Sequence, residues 1–280
     1  MTPSSSRPPC PSRPLVDSSI RPPHVPTPIR ALIFDCDGVV VDSNRLHVET
    51  WRETAAAHGY PMADPEHIGK CGLRTIAVIR DLLRWPVTEA EAIALGEEKE
   101  SRYRARIRAG GIAPIPGVRE TLARAAALGL PCALGSSAPR ENAELCLSAL
   151  GLSSFFRAVV TGADVTRGKP DPEIFLTAAA KLGIPPGECL VIEDAPAGVE
   201  AAHRAGMPAI ALLTSHTPAE LASADALARD FLDPAFDAAL SLRRDTKMAE
   251  RVGFEPTVPF WSTHALQACP IGHSGTSPRA

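Results

Sequence analysis

No stretch of this 280-residue sequence stays apolar for the ~18–20 residues needed to cross a bilayer, which speaks against an integral membrane protein. Neither sign of charge dominates, with 29 lysines and arginines against 32 aspartates and glutamates. The formal net charge is −3, far from the strongly basic balance of a dedicated nucleic-acid binder, so no nucleic-acid partner is expected. Cysteine pairing is absent: Cys10, Cys36, Cys71, Cys132, Cys146, Cys189 and Cys269 are odd in number and never spaced C-x-x-C. A disulfide framework and a zinc site are both unsupported, and a reducing, cytoplasmic setting is expected. The first 29 residues carry nine prolines and no apolar core, which is not the pattern of a secretory signal. Lysine is scarce, 5 against 24 arginines, so each lysine position carries information that an arginine does not. What is present is ordinary globular usage, 45% hydrophobic and 22% charged in 29.6 kDa. That is enough for one large domain, or for a core with a modest second one, and nothing in it demands a dimer.

Residues 1–29 are Pro/Ser-rich and read as a disordered extension, because they cannot bury enough surface to offset the entropy of ordering. From Arg30 the character changes. ALIFD is a short apolar run ending in a polar cluster, as expected of a buried strand. Later one unit recurs: an Ala/Leu-rich helical stretch, a glycine, then a β-like run. Gly129, Gly151, Gly183 and Gly206 stand where a left-handed residue stops a helix. The runs after them are PCALGSS, FRAVVTGAD, ECLVIED and PAIALL. Helices alternating with apolar strands imply an α/β doubly wound parallel sheet, whose ligands bind at the carboxyl ends of the strands. Core segments are expected at 30–42 and 115–240.

Residues 43–114 break that rhythm. Helical spacing puts His47, Trp51, Ala55 and His58 on one face and Ile76, Ile79 and Leu83 on another, while Thr88 and Glu91 spell a capping box. No strand-like run separates these helices, so an inserted all-helical cap domain is expected. From about residue 245 the alternation is lost. MAERVGFEPTVPFW resembles strings found where non-coding DNA near RNA genes is translated, and 245–280 is expected to be an unstructured tail.

The strand exits hold the polar residues that matter. Asp35 and Asp37 follow the first run and point to one side. Carboxylates so close repel unless a cation joins them or one binds a proton, and hard oxygen ligands suit magnesium. Two turn-forming aspartates before a glycine would look the same. Ser136 and Ser137 close the second run, as an anion site or as caps of the next helix. Lys169 follows the third, either neutralising a phosphate as a point charge or sitting in a solvated loop. Glu193 and Asp194 end the fourth, completing a magnesium shell or capping a helix. Acid pair, hydroxyl, lysine and acid pair form an ordered set for which capping and turns supply no common reason.

DCDGVVVDS, LGSS, GKPDPEIF and VIEDAPAGVEAAHRAG resemble, in that order, the four motifs of the haloacid dehalogenase superfamily over roughly residues 30–235. The placement of the helical insertion is similar to the subclass that includes beta-phosphoglucomutases and phosphoglycolate phosphatases. The resemblance implies Asp35 as nucleophile, forming an aspartyl-phosphate, and Asp37 as general acid and then base. It implies magnesium held by Asp35, the Asp37 backbone carbonyl and Asp194, with Glu193 a direct or water-mediated contributor. Ser136, with Ser137 beside it, and Lys169 would hold the phosphoryl oxygens. The family's carbon–halogen enzymes lack the second acid, so Asp37 points to phosphoryl transfer.

In the cap, His47 and Trp51 match positions where beta-phosphoglucomutases place a histidine and a tryptophan near the sugar. Arg74 matches a phosphate-binding arginine, and Arg104 stands where those mutases use a lysine. The alternatives are a core position for Trp51 and, for Arg104, an i,i+4 pair with Glu100. The second loop reads Ser136-Ser137-Ala138-Pro139-Arg140 where mutases spell Ser-Ala-Ser-Lys-Asn, which favours a phosphatase of a small phosphate ester over a mutase. A non-catalytic relative would have lost Asp35, Asp37, Lys169 or Asp194; all four stand.

Overall fold

A computed structural model describes residues 28–62, 64, 68 and 72–242. Its centre is a six-stranded parallel sheet, and all four residues of the first strand, β1 (Ala31–Phe34), are buried. Burial on both faces is why that segment reads as an unbroken apolar run. β1 alternates across the sheet. Leu32 and Phe34 join one apolar cluster, and Ala31 and Ile33 join the other.

A two-residue strand, β2 (Val41–Asp42), follows β1 and pairs antiparallel with β3 (Ala113–Pro114). Between them lie α1 (Asn44–His58), the short α2 (Thr75–Ala77) running into a π-helical turn (Val78–Leu83), and α3 (Glu89–Arg108). These helices share an apolar cluster that includes Trp51, Val78, Ile79, Leu83, Trp85 and Leu95. The expected capping box opens α3: Glu91 N–H donates to the Thr88 hydroxyl, and Thr88 N–H donates to the Glu91 carboxylate. His58, placed by its spacing with Trp51 and Ala55, lies exposed instead and pairs with Glu98 at 2.8 Å.

The chain then alternates α4 (Val118–Ala127), β4 (Cys132–Gly135), α5 (Arg140–Ala149), β5 (Phe156–Val160), α6 (Glu173–Leu182), β6 (Cys189–Glu193), α7 (Pro196–Arg204), β7 (Ala209–Leu212), β8 (Ala226–Ala228) and α8 (Pro234–Leu242). Strand order is β5-β4-β1-β6-β7-β8, with Ile33 opposite Ala133 on one side and Val191 on the other. α4, α5 and α8 cover one face, and α6 and α7 the other. Each of the five expected runs contains a strand. The ribbon β2–β3 and the edge strand β8 were not foreseen, because two or three residues are too few to display a period of two. The four expected helix-stopping glycines all take positive φ, between 63° and 73°.

The core cluster begins at Ile29, which is buried, and takes in Leu46, Tyr103 and Ile107 from the feet of the inserted helices. The expectations for the N-terminal extension, apart from its last two residues, and for the C-terminal tail fall outside the described residues. No helix among the described residues is long and apolar enough to cross a membrane.

Candidate active site

β1 and β6 are neighbours, so their carboxyl ends bring Asp35 and Glu193-Asp194 together. One carboxylate oxygen from each of Asp35, Glu193 and Asp194 lies within 4.8 Å of the others, all three buried. Lys169, 6% exposed, reaches between them from the loop before α6, with Nζ donating to Asp35 Oδ1 and to Glu193 Oε1, each at 2.6 Å. The other Glu193 oxygen accepts the N–H groups of Asp194 (2.8 Å) and Ala195 (3.0 Å). The capping alternative for Asp194 does not hold. Ala195 is the N-cap of α7, and the Asp194 carboxylate instead takes the Ser215 hydroxyl.

Three buried carboxylates against one ammonium leave the cluster short of positive charge. Burial accordingly pushes the Asp35 carboxyl up to about 7, with Lys169 opposing and Glu193 and Asp37 reinforcing the rise. Burial, then Glu193 and Asp35, raise Asp194 well above the usual range. For Lys169 burial acts against the charge, but Asp35 and Glu193 outweigh it and hold the ammonium. An all-oxygen donor set with this charge deficit fits a hard divalent cation. Two glycines make room for it. A side-chain carbon on Gly38 (φ 75°) would collide with the Asp194 carboxylate, and one on Gly198 with that of Glu193.

Asp37 belongs to a second network. Its Oδ1 accepts the Ser43 hydroxyl (2.6 Å) and the Tyr103 hydroxyl (3.2 Å), and lies 3.0 Å from His47 Nε2. His47 stacks on Tyr103, and its Nδ1 is 2.8 Å from Lys99 Nζ. A lysine ammonium can only donate, so Nδ1 accepts and the ring proton sits on Nε2, facing Asp37. Burial works against ionisation of Asp37, yet His47, Ser43 and Lys99 prevail and hold its carboxyl well below the usual carboxylate range.

At the exit of β4, the Ser136 hydroxyl accepts the Ala138 N–H at 3.1 Å, and neither serine caps α5, whose N-cap is Pro139. Both serines line the same cavity as Asp35, Asp37, His47 and Trp51.

The two cap arginines behave differently. Arg74 donates from Nη2 to the Val165 carbonyl (2.9 Å) and from Nη1 to that of Thr166 (3.3 Å), packs against Gly168, and does not line the cavity. Arg104 pairs with Glu97 and with Asn142 Oδ1 (3.1 Å), again outside the cavity wall, and not with Glu100. Among the described residues, the cap lysine or arginine that lines the cavity is Lys99, with Glu100 beside it. Sequence reasoning missed both, along with Ser43, Tyr103, Asn142 and Ser215. A signal for Lys99 was there: Leu95, Lys99, Tyr103 and Ile107 recur every four residues, and a lysine inside a buried stripe needs buried partners.

The profile of the haloacid dehalogenase-like hydrolases matches residues 29–206. Over 214 residues the chain is 31% identical to validoxylamine A 7'-phosphate phosphatase of Streptomyces hygroscopicus subsp. limoneus, spanning 73% of this chain and 95% of that one. It is 32% identical over 190 residues to beta-phosphoglucomutase of Bacillus subtilis strain 168, spanning 65% and 82%. The crystal structure of beta-phosphoglucomutase from Clostridium difficile aligns with a TM-score of 0.69 at 25% identity, over 81% of this chain and 100% of that one.

Proposed function

Because the chain belongs to the haloacid dehalogenase-like hydrolase family and is an enzyme, we propose that it is a magnesium-dependent, monomeric, cytoplasmic phosphatase of a small phosphorylated metabolite, a sugar phosphate. The observation that carries this reading is that Asp35 and Asp37 open on one cavity in opposite electrostatic states. One shares a lysine with a second carboxylate in a cation-hungry cluster. The other is set in a hydroxyl and imidazole network that can move a proton. The phosphatase and phosphoglucomutase names of the two relatives support a phosphate ester as substrate.

In this reading the Asp35 carboxylate attacks phosphorus, and the bond to the leaving oxygen breaks as the aspartyl-phosphate forms. Asp37, charged at rest, first takes a proton: His47 Nε2–H, 3.0 Å away, can pass its own on as Nδ1 takes one from the Lys99 ammonium at 2.8 Å, which leaves His47 neutral and Lys99 as the amine. Asp37 passes that proton to the leaving oxygen, then draws one from the attacking water as the aspartyl-phosphate is hydrolysed. Lys169 holds charge on the phosphoryl oxygens, and the Ser136 hydroxyl, which accepts from Ala138, keeps its own hydrogen free to donate there. Magnesium held by Asp35, Asp194 and the Asp37 carbonyl, with Glu193 acting through water, would supply charge neutralisation at the same oxygens. Glu193 is assigned the indirect role because both of its oxygens already accept hydrogen bonds.

The test is an incubation with magnesium, beta-glucose 1-phosphate and a trace of glucose 1,6-bisphosphate, reading inorganic phosphate and glucose 6-phosphate. Phosphate release that vanishes with Asp35→Asn is the expected result. Glucose 6-phosphate without phosphate release would assign a mutase instead.

A further inference from the structure

The cap wall of the cavity carries an acidic group that phosphoryl transfer does not use. Lys99 and Glu100, consecutive on α3, are 2% and 3% exposed and line the cavity that holds Asp35 and Asp37. Lys99 already has two hydrogen-bond acceptors and two aromatic rings about it. Its Nζ lies 2.8 Å from His47 Nδ1, 3.1 Å from Glu100 Oε1, and 5.3 Å from the ring centroids of both Trp51 and Tyr103. Glu100 is gripped from three elements. Oε1 accepts the Thr75 hydroxyl from α2 and Lys99 from α3, while Oε2 accepts the Asn142 amide of α5 at 2.6 Å. Among the described residues, the cap arginines Arg74 and Arg104 are turned to backbone carbonyls and to Glu97 and Asn142.

We propose that Glu100 is a specificity-determining residue whose fixed carboxylate rejects substrates bearing a second anionic group away from the scissile phosphate, and admits a neutral polyol or an amine there. The proposal rests on the phosphatase reading and names its substrate class. A second phosphate entering this wall would lose its hydration and meet a like charge, while Lys99, the one lysine or arginine among the described residues of the lining, is already shared between His47 and Glu100. A carboxylate has about four lone-pair sites. Thr75, Lys99 and Asn142 fill three of them, which leaves one acceptor position for a substrate hydroxyl or ammonium. Asn142, buried on the core side, fixes that position. Its amide nitrogen holds Glu100 while its oxygen accepts from Arg104, so the carboxylate cannot swing away without breaking a chain of buried bonds.

The experiment is calorimetric binding, in magnesium, to the full chain carrying Asp35→Asn, which does not turn substrate over. The probes are glucose 6-phosphate, glucosamine 6-phosphate and glucose 1,6-bisphosphate. Both monoesters are expected to bind at least tenfold more tightly than the bisphosphate. Adding Glu100→Gln, which keeps shape and removes charge, is expected to narrow that ratio at least tenfold by gaining on the bisphosphate. Bisphosphate binding equal to or tighter than the monoesters would overturn the proposal. So would a ratio that Glu100→Gln leaves unmoved, or a chain that binds inorganic phosphate but neither monoester. Phosphate release by the wild-type chain is measured in parallel. Intact discrimination in binding without release would sink the phosphatase reading and leave the role of Glu100 standing.

Discussion

Lys169 shows at the level of one residue how the site trades stability for chemistry. Its ammonium lies 2.6 Å from two buried carboxylates, so removing it strands two charges rather than one bond. Lys169→Met is expected to destabilise the metal-free protein by about 3–5 kcal/mol, the usual cost of breaking a buried ion pair by deleting one partner. Urea unfolding in EDTA would measure it, and magnesium should restore part of the loss. Asp35 gives a pH prediction whose sign follows from its raised pKa. In the unfolded chain it titrates near 3.8, and in the folded protein near 7. Its contribution to stability is complete below about pH 4, where both states hold the proton. That contribution is lost as pH rises through 7, where burial resists ionisation. Cation binding displaces the same proton. The rise in Tm on adding magnesium should therefore be larger at pH 8 than at pH 5.5; an equal rise at both would place the cation elsewhere.

Among the elements, α3, which brings Lys99 and Glu100 to the cavity, shows where the sequence was legible. Its start was readable, because a capping box is a local pattern: Thr88 and Glu91 satisfy each other's backbone donors. Thr88→Ala should cost about 1 kcal/mol in urea unfolding, the typical value of a lost N-cap. Its cavity-facing side was readable only as a stripe, Leu95, Lys99, Tyr103 and Ile107, with no sign of the partners that stripe meets. Arg104 was singled out by its motif position, whereas the buried stripe runs through Lys99 and Tyr103, and that stripe acquires meaning only when α1 and α5 pack against it to supply His47 and Asn142. The core strands were legible for the opposite reason. Double-sided burial writes itself into a run such as CLVIE without help from partners, and the residue closing each run falls at the end of the sheet where ligands bind. Ser215, which steadies Asp194, lies beyond β7 in a loop whose spelling gave no sign of its target. Contacts made across the sheet have no period to be read.

At the scale of the molecule, the ribbon β2–β3 marks where the inserted helices leave the core and rejoin it. Val41 opposes Pro114 and Asp42 opposes Ala113, so the chain leaves the core and returns to it at neighbouring points. Everything between closes a loop whose ends are already together, and the entropy of closing it grows only slowly with length. The helices inside it hold an apolar cluster of their own around Trp51 and Trp85, while β1 pairs only with core strands. Besides the ladder, cap and core touch through Tyr103, Ile107 and the Glu100–Asn142 bond, and we expect the cap helices to open as a cooperative unit separate from the sheet. In native-state hydrogen exchange the amides of α1 and α3 should open together, at a free energy below that of β1 and β6. A single exchange class spanning both would refute that partition. A polypeptide built this way can open the cavity by melting or tilting its inserted helices, and the three carboxylates at the ends of β1 and β6 need never lose their register.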